Sequence, residues 1–147
     1  VPAKIHHQVN MIIKEILDQK SGTIFMVAPG TLVPDAAAVL SEQVIGAVII
    51  GDSNAKILGI LSERDVTRCV AQHRAKIMEM RVENFMVGNV ITCKSSLSTV
   101  KAMEIMQVKH IRHLPVLDED DRAIGIVSMR ELMAVCIEDM LYIGLTR

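Results

Sequence analysis

The sequence predicts an α+β protein built from two pseudo-twofold-related β-α-β-β-α units, and three observations lead there. Gly59-Ile60-Leu61-Ser62-Glu63-Arg64-Asp65 returns 66 residues later as Gly125-Ile126-Val127-Ser128-Met129-Arg130-Glu131. Strand-like Val/Ile runs and helix-like Ala/Met runs follow in the same order around both copies. The chain has 147 residues and is 50% hydrophobic, enough for one substantial core but not for two independent domains. Each small sheet would leave one face uncovered by its own helices. The two units are therefore expected to pack through their sheets as one module, with a binding place at their seam.

Sliding residues 46–70 onto 112–136 superposes Asp52, Gly59, Ile60, Ser62 and Arg64 on identical partners. Polarity is kept elsewhere, since Val48 meets Leu114, Lys56 meets Arg122 and Asp65 meets Glu131. Upstream the spacing reads as 65, with Leu32 over Leu97 and Ala37 over Ala102. The repeats start near Thr23 and Asn89.

The elements follow in order. Ile5, Val9, Ile12, Ile13, Ile16 and Leu17 lie at helical spacing, opposed by Lys4, Lys14, Glu15 and Asp18. An amphipathic helix outside the repeats is expected over 5–20 and is stopped by Ser21-Gly22. A strand over Thr23–Val27 precedes a helix opened by Pro34-Asp35. Ala47–Ile50 reads as a buried strand, Asp52-Ser53-Asn54 as a turn and Ile57–Leu61 as its antiparallel partner. A helix from Glu63 to about His73 completes the unit. The second copy runs through Val90–Cys93, Ser98–Val108, Leu114–Leu117, Ala123–Val127 and Met129–Leu141. The expected organisation is 1–22 N-terminal helix, 23–75 first repeat, 76–88 linker and 89–147 second repeat.

Sixteen basic residues nearly balance seventeen acidic ones, and Phe25, Phe85 and Tyr142 are the only aromatics. Neither an electrostatic footprint nor a stacking platform for nucleic acid is visible. The longest apolar run, Val44–Ile50, is far short of the ~20 residues needed to span a bilayer. Cys69, Cys93 and Cys136 are odd in number and sit among apolar neighbours, which fits reduced, core-filling thiols. A cytoplasmic location is expected, or an organelle matrix if an upstream transit segment was removed.

The glycine-marked strand ending in Ser-x-x-acid, present twice, and Ile111-Arg112-His113-Leu114-Pro115-Val116 carry a family resemblance. Over residues 23–143 the chain resembles a tandem CBS-domain pair, the Bateman module, as found in stand-alone nucleotide-binding signal-transduction proteins. The resemblance implies an adenine nucleotide bound between the repeats, its ribose held by the acid of one and its phosphates by basic residues of the other.

Ser62 and Asp65 permit two readings. One is a capping box, although aspartate is one methylene shorter than glutamate and is expected to close it poorly. The other is a carboxylate at a helix N-terminus accepting both hydroxyls of a ribose diol. The resemblance favours the second, with Arg112 and His113 as phosphate partners and Arg64, Thr31 and Ala28 contributing. A second, weaker or vacant half-site would comprise Ser128, Arg130, Glu131, Gly46, Ala47, Thr92 and Lys94. There the glutamate fits a cap and no basic pair stands opposite.

Other signals fall away. Ser53-Asn54-Ala55-Lys56 spells Ser-x-x-Lys but lies in a turn. His110 and His113 lack a third ligand, and Asp118-Glu119-Asp120-Asp121 reads as a solvated hairpin turn, so no metal is expected. No Gly-x-Gly-x-x-Gly or Walker loop appears, nor does any set of nucleophile, base and orienting group. The expected function is a non-catalytic sensor of an adenine nucleotide, AMP or NAD(H) before ATP or S-adenosylmethionine, acting on a dimer arrangement or an unknown regulated protein. No catalytic cofactor is expected. The alternative is a ligand-independent homodimerisation module using the first helix and Met140, Leu141 and Ile143 on the last.

Overall fold

The computed structural model describes residues 11–20 and 23–146. Their elements are α1 (Ile13–Asp18), β1 (Met26–Val27), α2 (Val33–Gln43), β2 (Ala47–Gly51), β3 (Ile57–Ser62) and α3 (Glu63–His73), then β4 (Cys93–Lys94), α4 (Thr99–Lys109), β5 (His113–Leu117), β6 (Ala123–Ser128) and α5 (Met129–Thr146). They form two three-stranded sheets, ordered β1-β2-β3 and β4-β5-β6. Contacts separate two compact units. The first-repeat unit takes in residues 23–91 and 119–124, the second-repeat unit residues 11–20, 92–118 and 125–146.

In the first-repeat unit β1 runs parallel to β2, with Val27 opposite Ile50, and β2 runs antiparallel to β3, with Ala47 opposite Ser62. β2 is buried along its whole length, as its unbroken apolar sequence requires. Val33, Ala36, Leu40, Val48, Ile50, Leu61, Cys69 and Val82 form its core. Asp52 closes the hairpin, its Oδ1 accepting from the N–H groups of Asn54 (2.8 Å) and Lys56 (3.0 Å). The Ser-x-x-Lys string is thus part of a turn.

Residues 76–88 do not form a free linker. They contribute to two 3-10 turns, Arg74–Glu79 and Val82–Asn84, and Val82 is fully buried. The N–H of Val82 donates to Thr31 O (2.8 Å), Met80 O accepts from Val33 N (2.8 Å), and Ile60 and Val87 exchange two 3.0 Å hydrogen bonds. The segment is a strap stitched to the first repeat.

Among the described residues of the expected 5–20 helix, Ile13–Asp18 is helical and residues 11 and 12 are not, and this helix belongs with the second repeat. Ile13 N donates to Leu97 O (2.8 Å), Lys14 N to Ser95 O (2.9 Å), and Met11 O accepts from Thr99 N (2.8 Å). These bridges occupy the backbone that a longer helix would need for itself. Ile5, Val9, Lys4, His6 and His7, with the Ser21-Gly22 stop, lie outside the described residues. The second-repeat core includes Ile13, Ile16, Ala102, Met106, Leu114, Val116, Val127 and Leu132.

The backbone records the repeat more sharply than the side chains do. Val44 (φ 54°) and His110 (φ 57°) end α2 and α4 in the left-handed region, and Ala55 and Asp121 (both φ 60°) occupy it in the two hairpin turns. Each pair is 66 residues apart, as are the first residues of α2 and α4. The spacing of 65 upstream is therefore corrected to 66. Ala36, not Ala37, is the counterpart of Ala102, and both are fully buried. Leu32 corresponds to Ser98, each preceding its helix.

Val44 is 89% exposed, so its β-branched side chain bears left-handed strain without packing in return. Val44→Gly is expected to stabilise by up to ~1 kcal/mol, roughly 2–4 °C in Tm. An unchanged or lower Tm in a thermal melt would contradict this.

Cys69 and Cys93 are buried free thiols and Cys136 is half-buried. Burial pushes the Cys93 thiol up to about 11 and raises that of Cys69, which keeps both protonated at neutral pH.

Candidate functional site

In both repeats the Ser-x-x-acid motif starts a helix as it leaves the last strand. Ser62, extended at φ −102° and ψ 165°, precedes α3. Its Oγ accepts from Asp65 N (3.2 Å), while Asp65 Oδ2 accepts from Ser62 N (2.8 Å) and Ser62 Oγ (2.9 Å). The capping box is closed, which corrects the expectation that aspartate would reach poorly. One carboxylate oxygen serves both Ser62 donors, so the short side chain has only one point to reach. Glu63 N donates to Gly46 O (2.9 Å) and anchors the helix start to the chain before β2.

Asp65 is 6% exposed. Among the described residues its Oδ1 pairs with the Arg68 guanidinium alone, at 3.5 Å, and the arginine side chain is half exposed. One carboxylate oxygen is thus committed to the cap, and the other is held beside a displaceable cation. Arg64, on the next turn position, is exposed.

The second repeat copies the cap and changes its surroundings. Ser128 N donates to Glu131 Oε1 (3.0 Å), Glu131 N to Ser128 Oγ (3.1 Å), and Met129 N to Arg112 O (2.9 Å). Arg112 and Gly46 are therefore equivalent positions, each lending its carbonyl to the helix of its own repeat. Here the acid is already paired with Lys20, whose Nζ lies 3.1 Å from Glu131 Oε2 and 3.3 Å from Oε1 and donates to Ile126 O at 2.6 Å. Arg112 and Arg130 are exposed and His113 is half-buried.

The structure brings Gly46, Ala47, Ser62 and Asp65 together in the first-repeat unit, and Arg112, His113, Ser128 and Glu131 together in the second. Within their own unit Gly46 and Ala47 are neighbours of Ser62, as Arg112 is of Met129 in the other. Ala28 and Thr31 are not brought to the Asp65 cluster. Because β1 is parallel to β2, Ala28 follows the residue opposite Ile50, whereas Ala47 at the other end of β2 faces Ser62. Four strand residues separate the two ends by about 13 Å. The Thr31 hydroxyl donates to Ala28 O at 2.6 Å. Lys94 is displaced likewise: it lies opposite Leu117 and donates to Asp118 O (2.8 Å), away from the Arg112 end of β5. Thr92 precedes β4 and is half-buried.

Two charged residues escaped the sequence reading. Arg68 could have been found from its i,i+3 spacing to Asp65, but nothing local connects Lys20 with Glu131, 111 residues away. Among the described residues no group of three or more His, Cys, Asp or Glu is placed to hold a metal, and no helix is long and apolar enough to cross a membrane.

The chain is similar in sequence and fold to known proteins. A protein with CBS domains assigned to signal transduction, from Burkholderia ambifaria MC40-6, is 35% identical, the alignment covering 88% of this chain and 96% of that one with a TM-score of 0.78. A CBS-domain containing protein from Agrobacterium tumefaciens is 34% identical over 84% and 98%, with a TM-score of 0.77. Two more distant structures share the fold. One is a CBS domain protein from Pyrobaculum aerophilum complexed with AMP, at 20% identity over 89% and 99% and a TM-score of 0.75. The other is a CBS domain pair in complex with 5′-methylthioadenosine and S-adenosyl-L-methionine, at 24% over 86% and 95% and a TM-score of 0.75.

Among curated relatives the chain spans 68% of a 17.7 kDa protein of Acidianus ambivalens (26% identity over 78% of this chain). It spans only 24% of the inosine-5′-monophosphate dehydrogenase of Methanocaldococcus jannaschii (26% over 86%). Likeness to that enzyme is confined to about a quarter of its length. The CBS domain profile matches residues 13–72 and again 82–138. With the same left-handed helix end, hairpin turn and glycine-to-acid motif in both matched stretches, the chain belongs to the CBS-domain family as a tandem pair of repeats.

Proposed function

We propose that this chain is a regulatory sensor without catalysis of its own, which binds an adenine nucleotide with its ribose on Asp65. The observation that carries the reading is the divided carboxylate, Oδ2 fixed by Ser62 and Oδ1 beside the exposed Arg68. A ribose diol can replace Arg68 there without opening the cap. The ligands named for the two distant relatives, AMP in one and 5′-methylthioadenosine and S-adenosyl-L-methionine in the other, share adenine and a ribose diol, and only AMP carries a phosphate. Ribose recognition is their common chemistry.

Arg112 and His113 are assigned to the phosphate, which favours a phosphorylated ligand, and the family resemblance puts AMP and NAD(H) before ATP. The response follows from differential affinity for two arrangements of the chain or of a homodimer, passed on to a regulated protein. Arg112→Ala is expected to weaken AMP binding roughly 10- to 100-fold while leaving adenosine binding nearly unchanged. Equal losses for both ligands in titration calorimetry would remove Arg112 from the phosphate contact.

A second reading rests on α5, where Met133, Ile137, Met140 and Leu141 are exposed at helical spacing. Such a stripe suits a ligand-independent dimer. That reading takes precedence if the chain sediments as a dimer and no adenine nucleotide binds.

A further inference from the structure

The two caps differ in the cation beside their acid: Asp65 meets Arg68 of its own helix at 3.5 Å, whereas Glu131 is held by a lysine 111 residues away in the sequence. Lys20 follows α1, in the segment that precedes the first repeat, yet its ammonium sits on Glu131 of the second repeat and on the carbonyl of Ile126. Both are in the second-repeat unit. The Lys20 side chain is 26% exposed against 52% for that of Arg68 at the first cap, while the acid side chains run the other way, Glu131 at 33% and Asp65 at 9%.

The difference is chemical as well as spatial. Arg68 is one turn along the same helix, is exposed and makes no other hydrogen bond or ion pair among the described residues, so it swings into water at little cost. Removing Lys20 strips the Ile126 carbonyl of a 2.6 Å charged donor and leaves Glu131 with only its cap bond. Both Glu131 oxygens lie within 3.3 Å of the ammonium, whereas a ribose diol needs a carboxylate oxygen facing it unpaired.

We propose that Lys20 is an intramolecular plug that closes the Ser128–Glu131 half-site, so the chain takes up one adenine nucleotide rather than two. The inference rests on the reading of Asp65 as a ribose acceptor. The plug joins the leading segment to the second cap, so whatever displaces that segment opens the site.

Titration calorimetry with AMP and with S-adenosylmethionine, on the whole chain at neutral pH, tests this. The parent chain is expected to bind one equivalent. Lys20→Met is expected to bind a second, its affinity raised roughly 10- to 100-fold over the undetected site of the parent. Lys20→Arg keeps a cation and should remain at one. Adding Glu131→Gln to Lys20→Met should abolish the second event and keep the first. Lys20→Gln, still able to donate to Ile126 O, serves if the methionine variant melts early. One equivalent in folded Lys20→Met and Lys20→Gln would overturn the plug and leave the Asp65 reading standing. Two equivalents in the parent chain would overturn it as well. No binding by any variant would remove the reading on which it rests.

Discussion

Asp65→Ala is expected to lower the Tm of the ligand-free chain by roughly 3–8 °C and to abolish any rise in Tm on adding nucleotide. The first effect is structural. Alanine leaves the Ser62 N–H and Oγ–H without the single oxygen that now accepts both, at a cost of ~1–2 kcal/mol. The second effect is functional, because the ribose acceptor is gone. Asp65→Asn separates them. An amide oxygen can still receive Ser62, so most of the Tm should return, but the charge that holds a diol does not. Nucleotide binding that survives in Asp65→Asn at the parent affinity would reduce Asp65 to a cap.

Gly59→Ala is expected to destabilise by ~1–3 kcal/mol, and more than Gly125→Ala. A Cβ on Gly59 would overlap Met86 Sδ and lie 3.0 Å from the carbonyl oxygen of Val87. The thioether can swing away, but the carbonyl is fixed by its bond to Ile60 N. At Gly125 the nearest atom is Leu17 Cδ2 at 2.7 Å, the tip of a half-buried side chain that can change rotamer. The glycine of the motif thus admits a crossing segment in each repeat, the strap in one and α1 in the other. Denaturant melts of the two variants check the order, and an equal or larger loss in Gly125→Ala would contradict it.

Much of this was legible because it is local. The Gly-to-Ser-to-acid run, the turn at Asp52 and α3 over Glu63–His73 follow from propensity and spacing within a few residues, and all appear where the sequence puts them. The strap was not legible. Its apolar residues Ile77, Met80, Val82, Phe85 and Met86 pack on the first-repeat core, but what fixes them there is a set of hydrogen bonds that reach back to Thr31 and Ile60, which no local spacing announces. The repeat register upstream was misread because two chance identities, Leu32 with Leu97 and Ala37 with Ala102, outweighed a helix end with nothing in common but its backbone. Val44 and His110 share no side-chain chemistry, only a left-handed φ.

The site shows the same division. The motif residues Ser62, Asp65, Ser128 and Glu131 are found from spacing, since a cap is a contact over three residues. Ala28 and Thr31 were drawn in by their place in the repeat, but strand direction carries them to the far end of β2. Lys20 could not be found at all, because its partner is chosen by which repeat the leading segment packs on.

The most direct test of the account is calorimetric titration of AMP, ADP, ATP, NAD, NADH and S-adenosylmethionine into the parent chain, beside a thermal melt at saturating ligand. The account predicts saturable binding of at least one of them. At about 100 times its dissociation constant that ligand should add ~2.7 kcal/mol of stability, or roughly 5–10 °C, and Asp65→Asn should show neither heat nor shift. No binding by any of the six to the folded parent chain would contradict the sensor reading.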